Sequence, residues 1–382
     1  MVIDRPDQWS AERIIGLDLS KKTFQGCILL KKERYAKTHR ISGTMTEEGR
    51  ARFIGTLSAK DWVGIEGGTS SSTFARAILK NSKASVYMLN PGKLHIIFQS
   101  MCKTDKKDAV LIASYLRDCH PSQWVLIPIP TEEESAMRSL VTNQIFLKEN
   151  TVQYVNKLHA LFNQAGYPQI SKSDLKDNDK RIDLIHHYLG MESTNMHIAS
   201  ILNDQINLAE LAEETIEDAI KREILIKHPE LSLPWLSLPG VGVLTAAACI
   251  AFIGDGSRFE SPAQVRDYVG LAPRKDQSGI QDKQLGVSRF GCKPIRRNII
   301  QAAWRTSQMG DGYGIAKIWE EQAYKNKGKV AVAVANKMLT IGWTLIKRGE
   351  LYKGVDDYSY LDRKLAYNKL TAIDKSIFPE LS

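Results

Sequence analysis

Residues 13–30 read RIIGLDLSKKTFQGCILL: an apolar run that ends on Asp18, a polar break at Ser20–Lys22, and a second apolar run. That pattern predicts two strands joined by a polar turn. WVGIEGG (62–68) is a further short strand ending on a carboxylate, Glu66. SSSTFARAILKN (70–81) follows as a helix with serine and threonine available as caps. ASVYMLNP (84–91) is another strand, and MCKTDKKDAV (101–110) opens a helix that continues through AVLIASYLRDC. Strands alternating with helices place an α/β domain over residues 1–130.

From residue 131 the pattern changes. TEEESAMRSLVTNQIFLKENTVQYVNKLHALFNQAG begins with acids, as a helix start prefers, and then repeats apolar residues at helical spacing. INLAELAEETIEDAIKREILIKH (206–228) does the same with denser charge, and SKSDLKDNDKR (171–181) between them reads as a solvated loop. Residues 131–228 are therefore expected to form a helical arm, either a coiled coil that self-associates or an intramolecular bundle. A mainly helical third domain covers 229–349, closing on the helix VAVAVANKMLTIGWTLIKRG with its glycine stop. Residues 350–382 read as a loosely attached tail.

With 43% hydrophobic residues among 382, the chain can bury several cores. The formal charge of +9 biases it toward polyanions. The cysteines, Cys27, Cys102, Cys119, Cys249 and Cys292, stand singly with no paired zinc spacing and read as reduced thiols. The first residues lack the apolar core of a signal peptide, and the apolar run VGVLTAAACIAFIG is too short to span a bilayer. The expected setting is the cytoplasm, with no membrane partner.

Asp105 and Asp108 lie three apart and so share a helix face. Their mutual repulsion calls for a cation, supplied either by the neighbouring Lys103, Lys106 and Lys107 or by a metal ion. Asp18 and Glu66 sit where a sheet could aim them at the same point, and four converging carboxylates suit Mg²⁺ or Mn²⁺ and phosphodiester chemistry. LPGVG offers backbone N–H groups from Gly240 to Gly242 either as a phosphate cradle or as a plain tight turn. Between Arg274 and Arg297 seven basic residues (Arg274, Lys275, Lys283, Arg289, Lys293, Arg296, Arg297) face two acids, Asp276 and Asp282. Within that basic stretch Ser278, beside a glycine, is a candidate nucleophile or an ordinary loop serine. His186 and His187 read as surface residues.

GLDLSKKTF, IEGGTSSST, NPGKLHIIFQSMCKTDKKDA, LPGVGVLTAAACIAFIGDGSRFESPAQVRDYVGLAPRKDQSG and GVSRFGCKPIRRNIIQAAW occur in this order. The set resembles the DEDD transposases, insertion-sequence recombinases related to the pilin-gene DNA invertases, over roughly residues 13 to 350. The resemblance implies a RuvC-like, ribonuclease-H-type first domain in which Asp18, Glu66, Asp105 and Asp108 bind Mg²⁺. It implies a C-terminal transposase domain in which Ser278 takes a covalent 5′-phosphoserine linkage to the cut strand. It also implies double-stranded target and donor DNA, a noncoding guide RNA, a dimer assembling to a tetramer, and a place at the bacterial nucleoid. Lys103, Lys106, Lys107, Gly240, Gly242, Arg274, Lys275, Arg289, Lys293, Arg296 and Arg297 would then meet nucleic acid. Two rival readings remain: a metal-dependent nuclease in the manner of a junction resolvase, with Ser278 structural, and a non-catalytic nucleic-acid-binding protein.

Overall fold

The computed structural model describes residues 6, 10–30, 38–98, 105–190, 193–278, 281–287, 291–309, 314–354 and 358–381; of 96, 98, 105–107, 273–278 and 281–287 it describes the backbone only. The chain divides into two compact units, Met1–Glu132 and Glu133–Ser382.

The first unit is built from β1 (Arg13–Leu19), β2 (Thr23–Leu30), β3 (His39–Thr44), α1 (Glu47–Ile54), β4 (Asp61–Glu66), α2 (Ser71–Asn81), β5 (Ser85–Leu89), α3 (Pro91–Phe98) and α4 (Asp105–Asp118). Its sheet runs β3-β2-β1-β4-β5, with β1–β2 and β2–β3 antiparallel and β1–β4 and β4–β5 parallel. This mixed sheet is consistent with a ribonuclease-H-type domain. Because side chains alternate along a strand, β1 and β4 feed two cores. Ile15, Leu17, Val63 and Ile65 pack with Phe53, Phe74 and Ile78 on one face. Ile14 and Trp62 pack with Ile112, Tyr115, Leu116 and Trp124 on the other. At the start of β1, Arg13 grips the fully buried Asp61 at 2.7 and 2.5 Å, and the Ser58 amide donates to the same carboxylate.

The second unit is helical: α5 (Glu132–Gln164), α6 (Asn178–Tyr188), α7 (Thr194–Ile220), which passes into a π-helical turn at Lys221–Ile226, α8 (Pro229–Ser237), α9 (Val243–Ile253), α10 (Pro262–Val269), the hairpin β6 (Pro273–Ser278) and β7 (Gln281–Val287), α11 (Lys293–Thr306), α12 (Lys317–Glu321), α13 (Lys327–Arg348) and α14 (Ser359–Tyr367). The apolar run 241–254 forms α9, buried along nearly its whole length in the main core. Among the described residues α13 alone is long and apolar enough to cross a membrane, and its Val330, Val334, Met338 and Leu339 are buried in that same core.

Two expectations need correction. SKSDLKDNDKR is not a solvated loop throughout. Its last residues begin α6, and Arg181 is fully buried, donating to Asn203, Asn207, Glu210 and the Leu175 carbonyl. A buried guanidinium is tolerated because its donors are satisfied. Nor is the segment after residue 350 loosely attached: Leu361, Leu365, Leu370, Ile373 and Phe378 are buried in the main core. Lys364 on α14 donates to the carbonyls of Leu236, Leu238 and Val241 at 2.5, 3.2 and 3.0 Å.

In the arm, Leu158 and Phe162 of α5 share a separate small core with Ile185 of α6 and Ala199 and Ile206 of α7. Lys148 pairs with Glu213 at 3.0 Å, while farther along α5 Leu158 and Phe162 share their core with the earlier α7 residues Ala199 and Ile206, so α5 and α7 run antiparallel. The packing described is intramolecular. Ile201, Leu208 and Leu211 nevertheless project outward from α7, each more than 60% exposed.

Candidate active site

Asp18 and Glu66 are brought together by sheet register. Gly16 pairs with Gly64 and Leu17 with Ile65 across parallel β1 and β4, so the next positions, Asp18 and Glu66, are neighbours on one face at the strand ends. Adjacent strands are about 4.8 Å apart, which puts two carboxylates within reach of a shared cation. Both are half-buried, and both are engaged in polar interactions within the protein.

The same face is covered by α4, and the two glycines set its closeness. A Cβ at Gly16 would stand 2.1 Å from the Ala109 carbonyl oxygen and 2.6 Å from the Ala113 nitrogen; one at Gly64 would meet Leu116 Cδ1 at 2.5 Å. Ala109 therefore lies over Gly16, while Ile112, Tyr115 and Leu116 lie over Ile14 and Trp62 earlier in the strands. Helix and strands run in opposite directions. Followed back from Ala109, α4 reaches Asp108 and then Asp105 toward the strand ends that carry Asp18 and Glu66. Asp108 is half-buried; α4 begins at Asp105, whose side chain lies outside the described residues, as do those of Lys106 and Lys107 and the whole of Lys103. Among the described residues no group of three or more His, Cys, Asp or Glu side chains is close enough to hold a metal ion. The sheet thus unites two of the four sequence-predicted acids and directs the helix bearing the other two toward them. Gly16 and Gly64 were not singled out from sequence. Their signal is the shared pattern GLD and GIE, a glycine two residues before each strand-end acid.

In the second unit Ser278 is the last residue of β6 and pairs with Gln281 of β7. It therefore ends a strand. Arg274 and Lys275 belong to the same strand, while Gly279 and Arg289 fall outside the described residues. After the hairpin, Gly291 takes φ +127° where a Cβ would stand 2.7 Å from the Val269 carbonyl. α11 then starts with Lys293 exposed and Arg296 half-buried; Arg297 is engaged by Glu149 at 2.8 Å. Gly240 takes φ +79° and packs against the Ala302 carbonyl, 2.5 Å from where its Cβ would be, so close packing accounts for this glycine. Gly242, half-buried, caps α9. Burial pushes the thiols of Cys27, Cys119, Cys249 and Cys292 up, which keeps them protonated and poor nucleophiles. His186 and His187 are exposed on α6.

Comparison with known proteins places both regions in one context. A family model for DEDD-type IS110 transposases, described as "Transposase", matches residues 15–167, and one described as "Transposase IS116/IS110/IS902 family" matches residues 235–318. The chain is 26% identical over 347 residues to the pilin gene-inverting protein of Moraxella lacunata, covering 87% of this chain and 95% of that protein. It is 22% identical over 346 residues to the transposase for insertion sequence element IS1111A of Coxiella burnetii, covering 89% and 91%. It is 26% identical over 351 residues to the transposase for insertion sequence element IS1328 of Yersinia enterocolitica, covering 89% and 98%.

Proposed function

We propose a mechanism from the premise that this chain belongs to the IS116/IS110/IS902 transposase family, whose members are enzymes of DNA transposition and recombination. In this reading Asp18, Glu66, Asp105 and Asp108 hold a divalent cation, Mg²⁺ or Mn²⁺, and Ser278 is the nucleophile. The observation that carries it is the register that makes Asp18 and Glu66 neighbours on the face covered by α4. An all-oxygen donor set of carboxylates fits a hard cation, and a DEDD-type domain implies the use of one.

Held by Asp18, Glu66, Asp105 and Asp108, a divalent cation would supply positive charge to a scissile phosphate. Neighbouring positions at the ends of β1 and β4 would present Asp18 and Glu66 to the cation together. Ser278 Oγ attacks the scissile phosphorus; the Oγ–P bond forms as the bond from phosphorus to the 3′-oxygen breaks, and the serine proton ends on that 3′-oxygen. The product is a 5′-phosphoserine and a free 3′-hydroxyl. Attack by a second 3′-hydroxyl reverses the step, rejoins the strands and returns the proton to Ser278. Arg274, an even number of residues before Ser278 on the same strand and so on its face, stabilises charge on the transferring phosphoryl group, while Lys275, on the opposite face, is left to meet the nucleic-acid backbone.

A noncoding RNA guiding the choice of target and donor duplexes is consistent with the basic stretch that includes Lys293 and Arg296. The exposed face of α7, with Ile201, Leu208 and Leu211 at near-heptad spacing, supports a dimer that assembles to a tetramer. The work is done at the nucleoid in the bacterial cytoplasm.

The test incubates the protein with Mg²⁺, the element's RNA and labelled junction DNA, and resolves the products on a denaturing gel. A protein-linked DNA band that is absent in both Ser278→Ala and Asp105→Ala is the expected result. Free cleaved ends that persist in Ser278→Ala but vanish in Asp105→Ala would replace the serine by metal-assisted hydrolysis.

A further inference from the structure

The connection between α12 and α13 carries a second feature suited to nucleic acid. Residues 323–329, AYKNKGK, are all exposed, and Tyr324 presents 81% of its surface to solvent. The Lys325 ammonium lies 5.2 Å from the centroid of that ring and also reaches Gln322 Oε1 at 3.4 Å. The turn itself is ordered: Asn326 Oδ1 accepts the Gly328 amide at 2.9 Å and caps α13.

The first turn of α13 holds Lys327 and Lys329 and no acid. A helix N-terminus already carries partial positive charge and favours Asp or Glu there, so these lysines work against helix stability. Among the described residues none of Lys325, Lys327 and Lys329 forms an ion pair. The nearest acids in sequence, Glu320 and Glu321, precede the tyrosine on α12. The protein thus gathers unneutralised charge and an open aromatic face on one short, fixed turn.

We infer that this turn binds unpaired DNA, with phosphates on Lys325, Lys327 and Lys329 and a base stacked on Tyr324. In a duplex each base face is covered by its neighbours, so a free tyrosine ring selects a strand that has been opened. The choice of DNA rests on the transposase reading, since strand exchange between duplexes passes through unpaired segments.

The full-length protein is titrated against a labelled deoxythymidine oligomer of about twelve nucleotides and followed by fluorescence anisotropy. Tyr324→Ala should weaken binding about 5- to 100-fold, as expected for loss of one stacked base, with Tyr324→Phe retaining it. The triple change of Lys325, Lys327 and Lys329 to Gln should reduce the slope of log affinity against log salt by about two, at about 0.7 per phosphate contact on single strands. Duplex of the same length should be indifferent to Tyr324→Ala. The inference is overturned if Tyr324→Ala binds like the wild type, if it loses duplex and single strand equally, or if only an RNA oligomer is affected. These readings are affinities, so a negative result leaves the Ser278-dependent cleavage test untouched, and a failure of that test leaves these affinities standing.

Discussion

Gly16→Ala tests the geometry on which the acidic site depends. The new methyl group would meet the Ala109 carbonyl at 2.1 Å where ordinary contact begins at 3.4 Å, a shortfall of 1.3 Å, and would meet the Ala113 nitrogen at 2.6 Å. Both are backbone atoms of α4 and cannot rotate aside, so the helix as a whole must lift from β1. Overpacking of this kind costs roughly 1–3 kcal/mol, a fall in melting temperature of roughly 3–15 °C for a unit of this size. Asp108 is the residue next to Ala109 and moves with it. A displacement of about 1 Å in a catalytic group costs on the order of a hundredfold in rate, so the rate of protein-linked DNA formation should fall about that far even at temperatures where the protein is folded. Gly64→Ala is the internal control. Its methyl meets the side-chain ends Leu116 Cδ1 and Ile112 Cγ2, which can shift, so its effect on rate should be much smaller. Wild-type rate and melting temperature in Gly16→Ala, or greater damage from Gly64→Ala, would refute the argument that α4 carries Asp105 and Asp108 into the site.

Other outcomes follow from the same structure. Burial would raise Asp61, but the Arg13 hydrogen bonds and the Ser58 amide outweigh it and hold the carboxyl below its usual range. A depressed native value gives stability that is present above the unfolded carboxylate value, near 4, and lost as pH falls through the native one; acid unfolding followed by circular dichroism should lose part of that dependence in Asp61→Asn. Burial, with Arg305 adding to it, pushes Lys364 down to about 7. The unfolded chain then binds more protons between that value and the ordinary one of 10.5, so stability should rise with pH across this window and flatten in Lys364→Met, as urea midpoints at pH 7 and 9.5 would reveal. The same substitution strands three carbonyls and should cost roughly 2 kcal/mol at neutral pH. Leu208→Lys with Leu211→Lys should shift the protein to a smaller species in analytical ultracentrifugation without lowering its melting temperature.

The legible parts of the fold were those whose burial writes an apolar pattern into the sequence. The apolar runs at 13–30 and 62–66 announce strands because both faces are buried, and the acid ending each run marks where the sheet stops. β3, HRISGT, escaped because its side chains are largely exposed and backbone pairing to β2 holds it. The hairpin around Ser278 was hidden for a similar reason: PRKDQS and QDKQLGV lack apolar alternation, and register alone makes them strands. SKSDLKDNDKR looks soluble by composition, yet Arg181 finds its partners on α7, more than twenty residues on. The residues after 350 are dense in Lys, Asp and Tyr, and their scattered apolar side chains, with Lys364, are fixed by partners more than a hundred residues earlier. The acids themselves were readable, while the glycines that let α4 approach them were not, because close approach is a property of two surfaces.

The cores of the two units are completed at different times. Every residue of Met1–Glu132 precedes the second unit, so the sheet bearing Asp18 and Glu66 can close while later segments are still being translated. The core of the second unit draws on residues from Met137 to Phe378 and cannot close until the last of these has been made. A nascent chain therefore holds a finished sheet with Asp18 and Glu66 while the core of the second unit is still incomplete, and a product truncated before Phe378 would carry the strand-end acids without that second core.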